Sequence, residues 1–423
     1  MKTVIMAGGK GTRISSIAPD IPKPMIKIGG KPVLEQELIC LRDQGFDDVI
    51  ITLSYKADQI MDFFKNGDRL GIHISYFVEE QPLGNAGALF KIRDRLTDDF
   101  LLLNADTVFD VDFNRFAEYH KRKGGLATLF THPNSHPYDS GLIIADEDGV
   151  IQKWLTKEDV RPQWYRNRVN AGLHIINPKA LDLSGVDQGR VDLDRQILKP
   201  LCGKGNIYCY DSPEYVRDMG TPERYEAVCR DYQNGTVHAK NLKNKQKAIF
   251  LDRDGTINKY VDFLHKIEDF ELLPGVSEAI KKINASGYLA VVVTNQPVVA
   301  RGELTEEELK LIHDKMETLL GEQGAYLDRI YYCPHHPQSG FPGEIPELKI
   351  SCECRKPKPG MLLKAAQELN IDLSQSWMIG DGEHDIKAGK AAGCKTALIG
   401  ENNFYQEMTV NSLLQFTDIL LKQ

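Results

Sequence analysis

Between Lys247 and Asn258 the chain reads KAIFLDRDGTIN, with two carboxylates, Asp252 and Asp254, one residue apart and followed by Gly255 and Thr256. Phosphoryl transfer through an aspartyl phosphate needs such a pair: the first carboxylate attacks phosphorus, and the second protonates the leaving oxygen and then activates water. A strand that simply ends in an Asp-Gly turn is the plainer alternative. A second candidate centre lies near residue 10. Gly8, Gly9, Gly11, Thr12 and Arg13 follow a short apolar run and form a glycine-rich loop whose backbone N–H groups can approach phosphates closely. Lys23, in PKP, adds a second cation to Arg13, and two cations with a loop of amides can hold a triphosphate. The loop fits neither the Walker pattern nor the dinucleotide fingerprint, and a tight turn would also account for its glycines. A third cluster joins Cys333 and His335 in YYCPHHP to Cys352 and Cys354 in SCECRKPKPG. Four soft or borderline ligands suit tetrahedral zinc, and filling all four positions implies a closed, structural site. His336 competes with His335 for the imidazole position, whereas Cys40, Cys202, Cys209, Cys229 and Cys394 read as small buried hydrophobes.

These side chains need elements to place them. KAIFL predicts a buried parallel strand that delivers Asp252 to its carboxyl end, where ligands collect in open α/β sheets. In the first half, TVIMAGG, DVIITLSY, HISYFVEE and DFLLLNADT read as strands, alternating with helical stretches such as VLEQELICLRDQG and NAGALFKIRDRL. Past Asp106 the pattern becomes mixed, with a hairpin-like SGLIIADEDGVIQKWLTK. The stretch 234–246, NGTVHAKNLKNKQ, is polar, basic and without period, and is expected to be a linker. The chain therefore divides into 1–233, a linker at 234–246, and 247–423, two α/β domains in all.

DRDGT resembles the opening motif of the haloacid dehalogenase-like (HAD) phosphatases, and the later motifs of that family follow in order. The resemblance implies a doubly wound domain in which Thr294 and Asn295 bind phosphate, Lys356 neutralises phosphate and nucleophile, and Asp381 joins Asp252 and Asp254 in holding magnesium. A zinc loop just before RKPKPG is similar to that of the heptose 1,7-bisphosphate phosphatases and the related histidinol-phosphate phosphatases, and it implies that Arg355 binds the sugar. Where the relatives usually read SGIARG, this chain has PVVARG, so Pro297 and Val298 bear on sugar preference. Gly382 also stands where many relatives carry a larger polar residue.

GGKGTR followed by PKP resembles the sugar-1-phosphate nucleotidyltransferases over about the first 230 residues. That resemblance implies a Rossmann-like sheet and assigns nucleotide binding to Gly8, Gly9, Gly11, Thr12, Arg13, Lys23, Asp106 and, in the loop QPLGNAGAL, to Gln81 and Gly84. Asn85 stands where that family more often has Thr. Asp106 and Asp218 would hold a second magnesium; Asn170, Gly172 and Lys157 would contact the sugar phosphate. No protein nucleophile is implied, because the sugar phosphate itself attacks the α-phosphorus while Arg13 and Lys23 neutralise charge.

Together the halves imply consecutive steps: release of the 7-phosphate of D-glycero-D-manno-heptose 1,7-bisphosphate, then nucleotidyl transfer from GTP to the 1-phosphate, giving GDP-D-glycero-α-D-manno-heptose. Two alternatives are a mannose 1-phosphate transferase fused to a histidinol-phosphate phosphatase, and a nucleotide-sensing protein with one inactive half. At 423 residues the chain exceeds one ordinary core, and 26% charged residues with a net charge of -8 give no case for nucleic acid or an anionic membrane as partner. Small-molecule substrates are the expected partners, with a homo-oligomer open. MKTVIMAGGKGTR is too short an apolar run for a signal peptide, so a cytoplasmic protein with thiol cysteines is expected.

Overall fold

The computed structural model describes residues 1–9, 14, 17–186 and 189–422. Two compact units emerge, and they do not divide at a single point in the sequence: the first comprises 1–132, 141–156 and 169–241, the second 133–140, 157–168 and 242–423.

In the first unit a nine-stranded sheet has four parallel strands at one end, in the order Phe100–Asn104, Lys2–Ala7, Asp48–Leu53 and His73–Val78. Val4, Ile5, Ile50 and Ile51 are fully buried, because both faces of these strands are covered and their sequences run apolar without alternation. Helix Val33–Arg42 covers one face with Leu34, Leu38 and Leu41, the i, i+4, i+7 stripe of an amphipathic helix. Beyond Phe100–Asn104 the sheet turns antiparallel through Val169–Ile176, so it is doubly wound only in its first part. The stretch 234–246 is built into structure instead of spanning as a free linker. Thr236–Ala239 is helical, and His238 and Asn241 donate to Asp110 at 2.6 Å each.

The second unit is a six-stranded, wholly parallel sheet in the order Arg329–Cys333, Tyr288–Asn295, Lys247–Leu251, Trp377–Gly380, Lys395–Ile399, Met408–Val410. Strand order reverses at Lys247–Leu251, so Asp252 stands at the topological switch point, where crevices form. The final helix, Leu413–Leu420, buries Leu413 and Phe416 in this core.

Helix Glu306–Glu322, opened by a Thr305–Glu308 capping box, buries three polar side chains among its apolar ones, His313, Glu317 and Thr318. Glu317 explains why 157–168 belongs to this unit: Arg168 Nη1 lies 3.1 Å from Glu317 Oε1, with 3% and 2% of the two side chains exposed. Arg168 also donates to the carbonyls of Leu327 and Asp328, and Tyr165 exchanges hydrogen bonds with the Thr318 hydroxyl. Removing one partner strands a buried charge, so Glu317→Ala is expected to cost about 3–5 kcal/mol, read as a lowered Tm of the full chain. An unchanged Tm would mean that the pair contributes nothing.

Candidate active sites

The second-unit site is a cavity of about 340 Å³ lined by Asp252, Asp254, Thr294, Asn295, Arg355, Lys356 and Asp381, together with Tyr260, Phe263, Gln296, Pro297, Val298 and His384. Every residue assigned to catalysis, phosphate or magnesium in this half therefore faces one space. Lys356 is fully buried; its Nζ donates to Asp252 Oδ1 at 2.7 Å, to Asp385 Oδ1 at 2.6 Å and to the Val293 carbonyl at 2.8 Å. Asn295 clasps the Lys356 backbone from both sides, at 3.0 Å each way, so its amide serves the lysine as well as lining the cavity. Among the described residues no hydrogen bond engages Asp252 Oδ2, which leaves that oxygen open to the cavity.

Burial raises the pKa of Asp252, and the Asp385 charge adds to the effect, while Lys356 opposes both. Burial pushes Asp254 the same way, but Arg253, Asn258 and Gln296 outweigh it and hold its carboxyl below the usual range. These shifts run opposite to the duties of the pair, since a nucleophile works ionised and a proton donor needs a raised pKa; the Lys356 charge, and a cation beside Asp252, are what favour its ionised form. Arg253 is wholly buried, donates to Asp254 at 2.9–3.3 Å, and directs Nη1 toward His313 Nε2 at 3.3 Å. Gly255 is required: at φ +78° its Cβ would lie 2.0 Å from Asp381 Oδ2. Gly382 is less constrained: its backbone is extended, at φ -119°, and a Cβ there would crowd only the ring end of the His384 side chain.

The carboxylate oxygens of Asp252 and Asp381 suit a hard divalent cation, whereas both oxygens of Asp254, also expected to hold it, already accept from Arg253, Asn258 and Gln296. Ligand atoms of Asp252, His384 and Asp385 also gather within 4.8 Å. Lys356 Nζ already occupies the gap between Asp252 and Asp385, so the cation position that fits is on the cavity side.

Cys333, His335, Cys352 and Cys354 converge, with Sγ–Sγ separations of 3.2–3.5 Å and His335 Nδ1 at 3.3 and 3.6 Å from Cys354 and Cys333. Four donors at tetrahedral zinc lie about 3.3–3.8 Å apart, so this cluster has the dimensions of a zinc site. His336 turns away to the Gln338 carbonyl. The loop reaches the active site through covalent neighbours, because Cys354 precedes Arg355 and Lys356, and Arg355 Nη1 donates to the His335 carbonyl at 3.1 Å.

In the first unit a cavity of about 930 Å³ is lined by Gly8, Gly9, Lys23, Gly84, Asn85 and Asp106, with Glu79, Asn104, Arg190, Asp192 and Gln196. Gly11, Thr12 and Arg13 lie outside the described residues. Lys23 Nζ is bonded to Asp106 Oδ2. Asp218 is the strand partner of Thr107, next to Asp106, but its carboxylate binds Arg224 at 2.8 and 3.1 Å and it does not line the cavity. Burial raises the Asp218 pKa, yet Arg224, the Gly220 N–H and the Lys23 charge together bring it below the ordinary value. A carboxylate pair this close to Lys23 fits a divalent cation that would take over part of the charge balance now held by Lys23 and Arg224.

Several assigned residues stand elsewhere. Gln81 is exposed and outside the cavity lining, and Lys157 is exposed in a segment that belongs to the second unit. Asn170 accepts from Gly172 N and bonds His174 Nε2, which shapes its own strand, while Gly172 reaches the cavity only through Asn104, whose amide donates to its carbonyl at 3.5 Å. Gly84 is needed for packing: at φ +79° a Cβ would lie 2.3 Å from the Val191 carbonyl. Asn85, in place of the more usual Thr, accepts from Leu193 N at 2.7 Å and pins the same two loops together.

Two α/β units, each with cations and carboxylates gathered around a phosphate-sized space, make the chain a nucleotidyltransferase joined to a phosphatase. The nucleotidyl transferase family model matches residues 2–235, and the HAD-hydrolase-like model matches residues 353–414. The D-glycero-beta-D-manno-heptose-1,7-bisphosphate 7-phosphatase of Yersinia pestis is 45% identical over 152 residues, covering 36% of this chain and 79% of that protein. Its counterpart in Salmonella typhi is 41% identical over 184 residues, covering 42% of this chain and 96% of that protein. Among solved structures, HddC from Yersinia pseudotuberculosis is 28% identical, covers 55% of this chain and 99% of its own, and has a TM-score of 0.48. The chain belongs to the nucleotidyl transferase family through its first half and to the HAD-like family of heptose bisphosphate phosphatases through its second. Among the described residues no helix is long and apolar enough to cross a membrane.

Proposed function

We propose that the two sites act in succession on one sugar: the second unit removes the 7-phosphate of D-glycero-D-manno-heptose 1,7-bisphosphate, and the first transfers GMP from GTP to the heptose 1-phosphate that remains. The observation that carries this reading is the pairing itself, since relatives of the second half are named for a reaction whose product is the class of acceptor that a sugar-1-phosphate nucleotidyltransferase uses. The cavities are sized accordingly, about 930 Å³ for nucleotide plus sugar and about 340 Å³ for one end of a sugar phosphate.

In the phosphatase step Asp252 Oδ2 attacks phosphorus, Lys356 offsets the phosphate charge, Arg355 binds the sugar, and Asp254 protonates the departing sugar oxygen. Asp254, returned to its ionised form with Arg253 beside it, then takes the proton of the water that cleaves the aspartyl phosphate. Magnesium held by Asp252 and Asp381 would supply further charge neutralisation and leave the Asp254 carboxyl to carry the proton. In the transferase step the sugar phosphate oxygen displaces pyrophosphate in line, and Lys23, with Arg13, holds the phosphates; Asp106 and Asp218 are the magnesium carboxylates of this reading. The proposal places the chain in the cytoplasm.

The proposed product is GDP-D-glycero-α-D-manno-heptose. The phosphatase relatives are named for the β anomer, so the α assignment rests on the transferase half. Pyrophosphate release from GTP with α- and β-heptose 1-phosphate tests it: turnover confined to the β sugar would overturn the anomer, and turnover with neither would overturn the heptose reading.

We also read the Cys/His cluster as structural zinc. One zinc per chain is expected by metal analysis. Cys352→Ser should lose it and lower phosphate release at least about tenfold while sparing pyrophosphate release, because the loop anchors Arg355 and Lys356. Full phosphatase activity without the metal would sink this role.

A further inference from the structure

We propose that Glu79 selects the nucleobase, accepting the N1–H and the 2-amino group of guanine with its carboxylate. The inference rests on the reading of the first unit as a nucleotidyltransferase and names the residue that decides which nucleotide it takes.

Three acids line the first-unit cavity, and two are committed. Asp106 is bonded to Lys23, and Asp192 caps a helical turn by accepting from Arg195 N at 2.9 Å. Glu79 has no cationic partner among the described residues. It follows strand His73–Val78 at the carboxyl end of the parallel sheet, tied there by its backbone N–H to the Leu53 carbonyl at 2.7 Å. Its Oε2 accepts from Leu83 N at 3.1 Å, which fixes the side chain against the 81–87 loop, and its Oε1 lies over the glycine loop, 3.5 Å from where a Cβ on Gly8 would be. That loop is held in turn by Val191 and Leu193, through Val191 N to the Leu83 carbonyl at 2.8 Å and Leu193 N to Asn85 Oδ1. The carboxylate is thus pre-positioned, half-buried and desolvated enough that its pKa is raised, with only the Leu83 N–H opposing.

A carboxylate repels phosphate oxygens, so the part of a nucleotide that Glu79 accepts from must carry donors, and a base edge can supply them. Of the common bases only guanine presents two adjacent donors on one edge, N1–H and N2–H, to match two carboxylate oxygens. Adenine offers one donor beside an acceptor. Uracil offers one N–H flanked by two carbonyl oxygens that the carboxylate would repel. A carboxylate oxygen has lone pairs enough to keep the Leu83 bond and still accept from the base. A bidentate contact of this kind discriminates by about ten- to a hundredfold or more.

The test is calorimetric titration of the full-length protein with GTP, ITP, ATP and UTP in magnesium, repeated on Glu79→Gln. Glutamine keeps an acceptor for Leu83 N–H, so the loop should stand; an unchanged Tm and phosphate release check the fold. Wild type should bind GTP about tenfold tighter than ITP, which lacks the 2-amino group, and about a hundredfold tighter than ATP or UTP. In the variant the GTP affinity should fall at least tenfold, with ATP and UTP within about twofold of wild type. Retained GTP selectivity in Glu79→Gln, or no GTP preference in wild type, would overturn the role of Glu79 alone. No nucleotide binding by wild type would overturn the transferase reading and the inference with it.

Discussion

Asp252→Asn is expected to reduce phosphate release by about 10⁴-fold or more, with pyrophosphate release from GTP and a sugar 1-phosphate unchanged. The loss is large because no other side chain can take over the attack: Lys356 leaves Asp252 Oδ2 as the only oxygen of that carboxylate facing the cavity without a protein partner among the described residues. The buried Lys356 would also lose one of its two counter-charges, Asp252, and keep Asp385. A modest thermal shift should therefore accompany the loss, and comparison of Tm with kcat separates the two effects. Phosphate release within tenfold of wild type would mean that Asp252 is not the nucleophile and that the cavity binds a phosphate it does not cleave.

Lys23→Met should act in the opposite half. Lys23 is bonded to Asp106, and its charge is felt by Asp218, so it stands where the triphosphate and any cation on those carboxylates must meet. Methionine keeps the length and removes the charge. Pyrophosphate release is expected to fall by about 10²–10³-fold, the usual cost of one electrostatic contact to the transferring phosphoryl group, with phosphate release untouched. A rise in KM at constant kcat would instead mean that Lys23 holds substrate and transition state equally.

How far these sites could be read from residue order differs between the halves, for physical reasons. In the phosphatase half each motif sits at the carboxyl end of a parallel strand, or directly beside one, and parallel pairing brings all those ends to one edge; locating the strands was enough to bring Asp252, Thr294 and Asp381 together. The Cys/His cluster was legible because two close pairs of potential ligands leave little freedom. Arg253 and His313 were not legible, since a buried arginine held by a neutral histidine leaves no periodic signal. In the transferase half the sheet turns antiparallel after Asn104, and spacing no longer says which face a residue takes. Lys157 and Gln81 were assigned from motif position, whereas the chain carries the first into the second unit and leaves the second exposed. Glu79 stands two residues before Gln81, outside that motif at the end of the stretch HISYFVEE, and only the hydrogen bond to Leu83 shows which of the two turns inward. The two excursions at 133–140 and 157–168 were invisible for a further reason: what recruits 157–168 is Glu317, a single acid far along the chain that reads as one more polar position of a long helix.

Following phosphate and pyrophosphate separately, with the full-length protein, D-glycero-D-manno-heptose 1,7-bisphosphate, GTP and magnesium, tests the central claim most directly. Phosphate should appear at once and pyrophosphate after a lag, because the acceptor for the second reaction is the product of the first. Pyrophosphate without prior phosphate, or phosphate with no pyrophosphate to follow, would contradict the account of one chain performing consecutive steps on one sugar.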